Sequence, residues 1–384
     1  MDTNQLRFLE SIENIRALTV LRTGREISSS RAREITSCIQ QGRLFFETAE
    51  ESPLEIRPLI QFYGALGFAK AIVLGHQLRA MATMSKGHGL RDVSTPGARI
   101  TELAARVENQ GTFAEFNDSM AALNRVRYID AETHPASAAV EAAPTATISA
   151  HTLTLRDVLS RTPGLSKLYR STFSEPSLSE SLDVLYYSRH DDYWTIRLVD
   201  DERFDSRDSL KAIVIRWRDR FPYLEKWRVI EASPAWGASY ITLANLDRSE
   251  IDDLDAENLV ENEPSHYTSA ARGAPPANLA RLPLAHSLPG VGSGPSGEGL
   301  FAIAPVGTAY LSEFSLAYVG LFLLSSLVRY RPDTWTHSLS RTALQDRPVD
   351  DQAIALVHAF LEQSQTIFPS LVVRTLNPSE DRYA

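Results

Sequence analysis

Apolar positions across residues 4–21 recur at spacings of three and four, which predicts an amphipathic helix. Ser28 to Ser30 offer N-caps for a second helix reaching about residue 49. Ser52-Pro53 predicts the start of a third, because proline at the first helical position gives up an N–H that has no partner there. That helix carries Leu59, Ile60, Tyr63, Leu66, Ala69, Ile72 and Val73, an apolar face broad enough for a central element. It is expected to fail near Lys86-Gly87-His88-Gly89, where two glycines release the backbone. A further helical stretch is predicted over residues 98–107.

The pattern then changes. Residues 133–144 are rich in Ala, Thr and Pro and read as a connection. Residues 182–189, 193–198, 227–232 and 240–246 are β-branched or aromatic runs bounded by turn residues, which predicts short strands, with a helix over 206–220 between them. Residues 247–263 are strongly acidic and read as a solvated face, since no calcium-loop spacing is present. Residues 264–299, dense in Pro, Gly, Ser and Ala, predict a long flexible loop. A strand over 300–306 precedes a long helix over 309–330, apolar nearly all round in its last three turns and hence buried. Pro332 starts a short helix, and Asp350-Asp351 a last one running to about residue 367.

These elements predict an α+β fold: a mainly helical bundle built from the N- and C-terminal thirds, with a small β-containing segment inserted. The expected parts are 1–132 (helical), 133–263 (α+β insert), 264–299 (loop) and 300–384 (helical, packing on the first). In particular, the helix over 309–330 is expected to pack against the helix of Tyr63 and Lys70.

Composition narrows the classes. Apolar residues at 43% and charged residues at 23% of 384 are those of a globular chain with ample length for a core. The apolar window 317–327 falls short of the roughly 20 residues that span a bilayer, and the polar first ten residues carry no secretory signal. The expectation is therefore a cytoplasmic protein without membrane association. A net charge of −9 argues against extensive wrapping of nucleic acid. Cys38 is the sole cysteine, so no disulfide partner exists within the chain, and its simplest role is as a small buried hydrophobe. Nine scattered histidines without His-x-x-x-His spacing predict no metal site, and nothing in the sequence calls for a cofactor. The loose glycines at 290, 292, 294 and 297 lack the Lys-Ser/Thr of a phosphate loop.

Candidate chemistry lies in two segments. In the first, Arg57-Pro58-Leu59, Tyr63 and Ala69-Lys70-Ala71 lead to His88-Gly89-Leu90. In the second, Leu324-Ser325-Ser326-Leu327-Val328-Arg329-Tyr330 leads through Arg331 to Pro332, Trp335 and His337. Lys70 is the polar exception on an apolar helix, and Leu66, Gly67, Val73 and Leu74 offer its ammonium no partner. It either snorkels or meets a carboxylate or anionic ligand from another element. His88 is free to approach a ligand between its glycines, or to act as a capping or core-bonded histidine. Arg329 and Arg331 end a buried helix, where they complement the helix dipole and pair with carboxylates, or clamp a phosphate. Tyr330 and Trp335 are packing residues with polar tips, or platforms for a base. Asp191-Asp192, between two strands, reads as a hairpin turn.

Together the two segments resemble the YaaC-like family of bacterial proteins, a family with no settled activity. The tyrosine-bearing helix, with its Ala-Lys-Ala-Ile run, is also similar to the second helix of HEPN proteins. These are four-helix bundles, many of which are metal-independent ribonucleases that carry an arginine, four to six intervening residues and then a histidine. The resemblance implies Arg331 and His337 as catalytic groups, the histidine shuttling a proton and the arginine stabilising phosphorane-like charge. Tyr63, Lys70, His88, Arg329, Tyr330 and Trp335 would then bind the ligand. It further implies RNA or a nucleotide as ligand, a role in stress or phage defence, and a homodimer. Pro332 departs from the pattern, where a polar residue usually follows the arginine. The spacing itself is weak. With 34 arginines and nine histidines about two matches arise by chance, and the chain holds three: Arg127 with His134, Arg281 with His286, and Arg331 with His337. The competing expectation is a non-enzymatic structural or interaction protein whose cations are internal ion-pair partners.

Overall fold

A computed structural model describes residues 3–123, 126–129, 136–188, 193–235, 237–244, 287–289, 291–293, 300–340 and 351–377. The chain begins with four helices, α1 (Thr3–Leu9), α2 (Ile12–Thr23), α3 (Ser29–Glu51) and α4 (Arg57–Gln77). Next come β1 (Leu90–Asp92), β2 (Ala104–Val107), α5 (Thr112–Leu123), β3 (Val126–Ile129), β4 (Ala136–Glu141), α6 (Thr145–Ile148), β5 (Thr152–Thr154), α7 (Leu155–Arg161) and α8 (Ser166–Phe173). The β-rich part holds β6 (Ser179–Ser188), β7 (Tyr193–Asp200), α9 (Arg207–Arg220), β8 (Arg228–Ala235), β9 (Ala238–Ala244), β10 (Ser287–Pro289), β11 (Val291–Ser293) and β12 (Leu300–Ile303). Three helices, α10 (Glu313–Tyr330), α11 (Pro332–Ser340) and α12 (Ile354–Leu376), complete it.

The fold is α+β and mainly helical. The larger core joins α1 to α5, α7, α10 and α12, with Phe46, Phe62, Phe68, Phe113, Phe116, Tyr318, Phe360 and Phe368 among its fully buried side chains. Glycine sets the approach of α3 to α4. A Cβ on Gly67 would stand 3.0 Å from the carbonyl oxygen of Cys38, and one on Gly42 would stand 2.5 Å from the Phe68 ring. The residues from Glu313 to Leu327 in α10 are all buried, and this helix packs on α4, as does α12. One polar pin crosses the apolar interior: Gln61 on α4 donates to Gln365 on α12 at 2.7 Å, and Gln365 donates to the Phe46 carbonyl on α3 at 2.6 Å.

A second core lies under an antiparallel six-stranded sheet in the order β11-β12-β6-β7-β9-β8. The apolar face of α9, Leu210, Ile213, Val214 and Trp217, packs against Leu198, Ile241 and Leu243 of this sheet. Trp217 donates to Asp200 at 2.7 Å, so the indole N–H is satisfied without leaving the core. Two smaller sheets, β1-β2-β5 and β10-β4-β3, complete the strands.

Several local expectations are corrected. The first predicted helix is two, broken where Ser11 caps α2 by accepting from the Asn14 N–H. The third starts at Arg57 and not at Pro53, with Pro58 in its first turn, and it ends at Gln77 with Leu78 as its C-cap, well before Gly87. Residues 98–107 form a short 3₁₀ turn and strand β2, not an α-helix. Part of the expected connection over 133–144 is β4, and Ser287–Pro289 and Val291–Ser293 in the expected loop are strands. The last helix continues through Pro369 to Leu376. The strand β12, in the C-terminal part of the chain, adds to the sheet of the β-rich middle through Leu300 opposite Leu182. The acidic run 247–263, Asp191-Asp192, His134, Arg281 and His286 lie outside the described residues.

Among the described helices α4 alone is long and apolar enough to cross a membrane by length and composition, and most of it is covered inside the fold. No group of three potential metal ligands occurs among the described residues.

Candidate anion-binding groove on helix α4

Helix α4 is buried on nearly every side, yet Leu59, Tyr63, Leu66 and Lys70 remain partly exposed. Their spacings of four, three and four put them on one stripe. Tyr63 and Lys70 are two turns apart, about 10 Å along the axis. The stripe is bordered by α3, by the segment after α4 and by the end of α10. The Phe45 ring of α3 stacks on Tyr63 with centroids 5.8 Å apart. Cys38 of α3 lies within electrostatic reach of Lys70.

His88 is carried to this stripe by its flanking glycines. Gly87 and Gly89 have φ of +89° and +77°, a region that costs glycine little. The turn sits against the start of α5: Thr112 N–H donates to the Gly87 carbonyl at 3.0 Å and Phe113 N–H to the His88 carbonyl at 2.8 Å. A Cβ at Gly89 would stand 3.0 Å from the Phe113 nitrogen, so the close approach also requires glycine. The carboxylate of Glu115 anchors the preceding segment, accepting from Ser85 N–H at 2.8 Å and pairing with Arg79.

The imidazole of His88 meets the edge of Phe62 at 5.3 Å between centroids and Phe322 at 6.0 Å. The guanidinium of Arg329 lies 5.8 Å from the same Phe62 ring and 4.9 Å from that of Tyr330, which is 69% exposed. Among the described residues, Arg329 donates only within its own helix, to the Ser325 carbonyl at 3.3 Å and the Ser325 hydroxyl at 3.2 Å. Burial, then Arg329, then Lys70, push the His88 pKa below its ordinary value. His88 and Arg329 thus meet over Phe62, and Lys70 lies within electrostatic reach of His88. None of them has a carboxylate partner among the described residues.

The other predicted residues go elsewhere. Arg331 donates to the carbonyls of Thr95 at 3.0 Å and Ser94 at 3.1 Å, and lies 3.6 Å from Asp92. Burial pushes the Asp92 pKa up, but hydrogen bonds from Ser326 (2.6 Å) and Ser94, with Arg331 nearby, hold it below the ordinary carboxylate value. Arg331 therefore ties the segment after β1 to the end of α10, and does not join the Lys70 cluster. Trp335 is 2% exposed and donates to the Glu55 carbonyl at 2.9 Å, and His337 is 8% exposed. A sealed indole offers no platform for a base, so Trp335 is corrected to a packing residue.

Sequence reasoning missed Phe62 and Phe322, which flank His88, and Phe45, which stacks on Tyr63. Periodicity marks all three as core residues, and only the partial exposure of Tyr63 and Lys70 beside them sets them apart. It also missed an open groove of about 600 Å³ on α3, lined by Ser37, Cys38, Gln40, Gln41, Leu44, Phe45 and Thr48, with Met81 opposite them. Burial raises the Cys38 thiol to about 11, with Lys70 lowering it and Glu34 raising it. Its thiol is thus protonated and unreactive near neutrality.

The fold defines an α+β protein with a largely helical body, in which His88 and Arg329 meet over Phe62 of α4 beside the partly exposed Tyr63 and Lys70. The chain belongs to the family described as YaaC-like Protein, whose pattern matches residues 3–269 and 293–376. No curated protein and no solved structure shows significant similarity to it.

Proposed function

We propose that this chain handles RNA or a nucleotide by holding phosphate between Lys70, His88 and Arg329. One observation carries the reading: His88 and Arg329 meet over Phe62 with Lys70 in electrostatic reach of His88, and none of the three has a carboxylate partner among the described residues. Like charges brought together and partly desolvated are costly. A bound anion offsets that cost, and guanidinium and ammonium groups each suit phosphate oxygens. Tyr63 and Tyr330 supply partly exposed rings beside the cations, as a base-bearing ligand requires.

The finer idea of a metal-independent endoribonuclease in stress or phage defence rests on Arg331 and His337. Arg331 is occupied by two carbonyls and Asp92, so phosphate contact is better assigned to the Lys70 cluster. The same contacts favour, for Arg331, the alternative of a purely structural role. Titrating the full chain with pyrophosphate tests the reading. Lys70→Met and Arg329→Met should each weaken binding at least about tenfold, the scale of one lost charge-assisted contact. Binding equal to wild type in both variants would remove the proposal. RNA cleavage in chelator, lost in His337→Ala with melting unchanged, would return the catalytic role to the Arg331–His337 pair.

A further inference from the structure

We infer that the α3 groove seats the base of a single nucleotide whose phosphates lie on Lys70, His88 and Arg329. This rests on the phosphate reading above and names the class of ligand. The groove adjoins the α4 stripe: its wall residue Phe45 stacks on Tyr63 with centroids 5.8 Å apart, and the Lys70 charge acts on Cys38 from the same helix as Tyr63. A volume of about 600 Å³ suits a small molecule.

The two ends differ in chemistry. Leu44, Phe45 and Met81 give the groove apolar walls, and Ser37, Gln40 and Gln41 add uncharged hydroxyl and amide groups at its edge. A planar heterocycle with donors and acceptors on its rim matches that combination, apolar on its faces and hydrogen-bonding on its edge. No basic residue lines the groove, so positive charge is confined to the far end. Glu34, whose charge acts on Cys38, accepts from the Met81 N–H at 2.8 Å and so holds that wall of the groove in place.

Charge complementarity also separates a mononucleotide from a polymer. A nucleic-acid strand presents one phosphate per nucleotide, and proteins that track it line the path with many cations. Here three cation-forming groups stand at one end of an uncharged groove, in a chain of net charge −9. That arrangement meets two or three clustered phosphates and one base.

Calorimetric titration of the full chain with ADP, GDP, pyrophosphate and a single-stranded RNA oligonucleotide tests the inference. At least one nucleoside diphosphate should bind about tenfold or more tighter than pyrophosphate. Gln41→Trp, at an exposed helical position, fills the groove and should reduce that nucleotide to the pyrophosphate level while leaving pyrophosphate itself unchanged. Leu44→Ala, which only removes a wall, should weaken the nucleotide in the same direction. If both nucleotides bind no better than pyrophosphate, or if Gln41→Trp leaves their advantage intact, the groove does not seat the base and the phosphate reading stands alone. RNA binding tighter than either nucleotide and indifferent to Gln41→Trp would likewise overturn it. Pyrophosphate failing to bind wild type would overturn the phosphate reading and this inference with it.

Discussion

His88 and Arg329 share one aromatic ring. The imidazole lies 5.3 Å and the guanidinium 5.8 Å from the centroid of Phe62, and neither has an acidic partner among the described residues. Two groups from distant parts of the chain thus meet over a side chain of α4. The pairing is unfavourable for the isolated protein whenever His88 is protonated, and an anion would relieve it.

The first prediction concerns pH. Burial, Arg329 and Lys70 lower the His88 pKa from 6.5 in the folded chain. The unfolded chain therefore binds more protons than the folded one as pH falls through that value, and stability should decrease on acidification. The His88 contribution is complete above the unfolded pKa and declines below it. In Arg329→Met the His88 pKa, followed by NMR titration of its ring protons, should rise toward 6.5. Pyrophosphate should raise it in wild type. An unchanged value in the variant would show that the guanidinium does not act on His88.

Arg331 should behave as a structural clamp. Removing it takes the Arg331 donor from the Ser94 carbonyl and the cation from beside Asp92, while Asp92 keeps Ser326 and Ser94 and the Thr95 carbonyl keeps the Ala98 N–H. Arg331→Ala is expected to lower unfolding free energy by about 1–3 kcal/mol, with pyrophosphate affinity at 25 °C unchanged. Denaturant unfolding and titration of the same sample separate the two. Loss of affinity without loss of stability would assign Arg331 to the ligand.

The third prediction tests how α3 meets α4. A methyl on Gly67 would press at 3.0 Å on the Cys38 carbonyl and on the Gly42 backbone nitrogen, neither of which can rotate away. Gly67→Ala should cost about 1–3 kcal/mol through overpacking. Gly24→Ala meets no atom within 4 Å, although its φ of +67° adds local strain. It should leave the Cys38 groove intact, whereas Gly67→Ala should widen it and speed alkylation of the sole cysteine. Equal melting and equal alkylation in both variants would sink the account.

Much of the helical framework was readable because its signals are local. Ser28 caps α3, Ser206 caps α9, and Pro332 begins α11 as its position predicts. The apolar circumference of residues 317–327 announced a buried helix, and α10 is buried there throughout. The short strand β2 was misread as helix because Ala, Glu and Arg favour helices, while pairing with β1 and β5 overrode that preference. The end of α4 was placed too late because Gly87 is the visible breaker. The helix stops nine residues earlier at Leu78, which adopts φ of +52° without any glycine to announce it.

For the candidate groove, local chemistry marked Lys70 as an unpartnered cation, His88 as a residue held between two glycines, and Arg329 and Arg331 as the end of a buried helix. These are properties of neighbouring positions, and sequence alone determines them. That Arg329 turns to Phe62 and His88 while Arg331 turns to Asp92 depends on how α10 lies across α4 and β1. No periodicity encodes it, because the two arginines are separated by one residue and distinguished only by distant partners. Exposure was likewise a tertiary decision. Tyr63 and Lys70 remain accessible, and Trp335 does not, because the surrounding helices cover one face and leave the other uncovered.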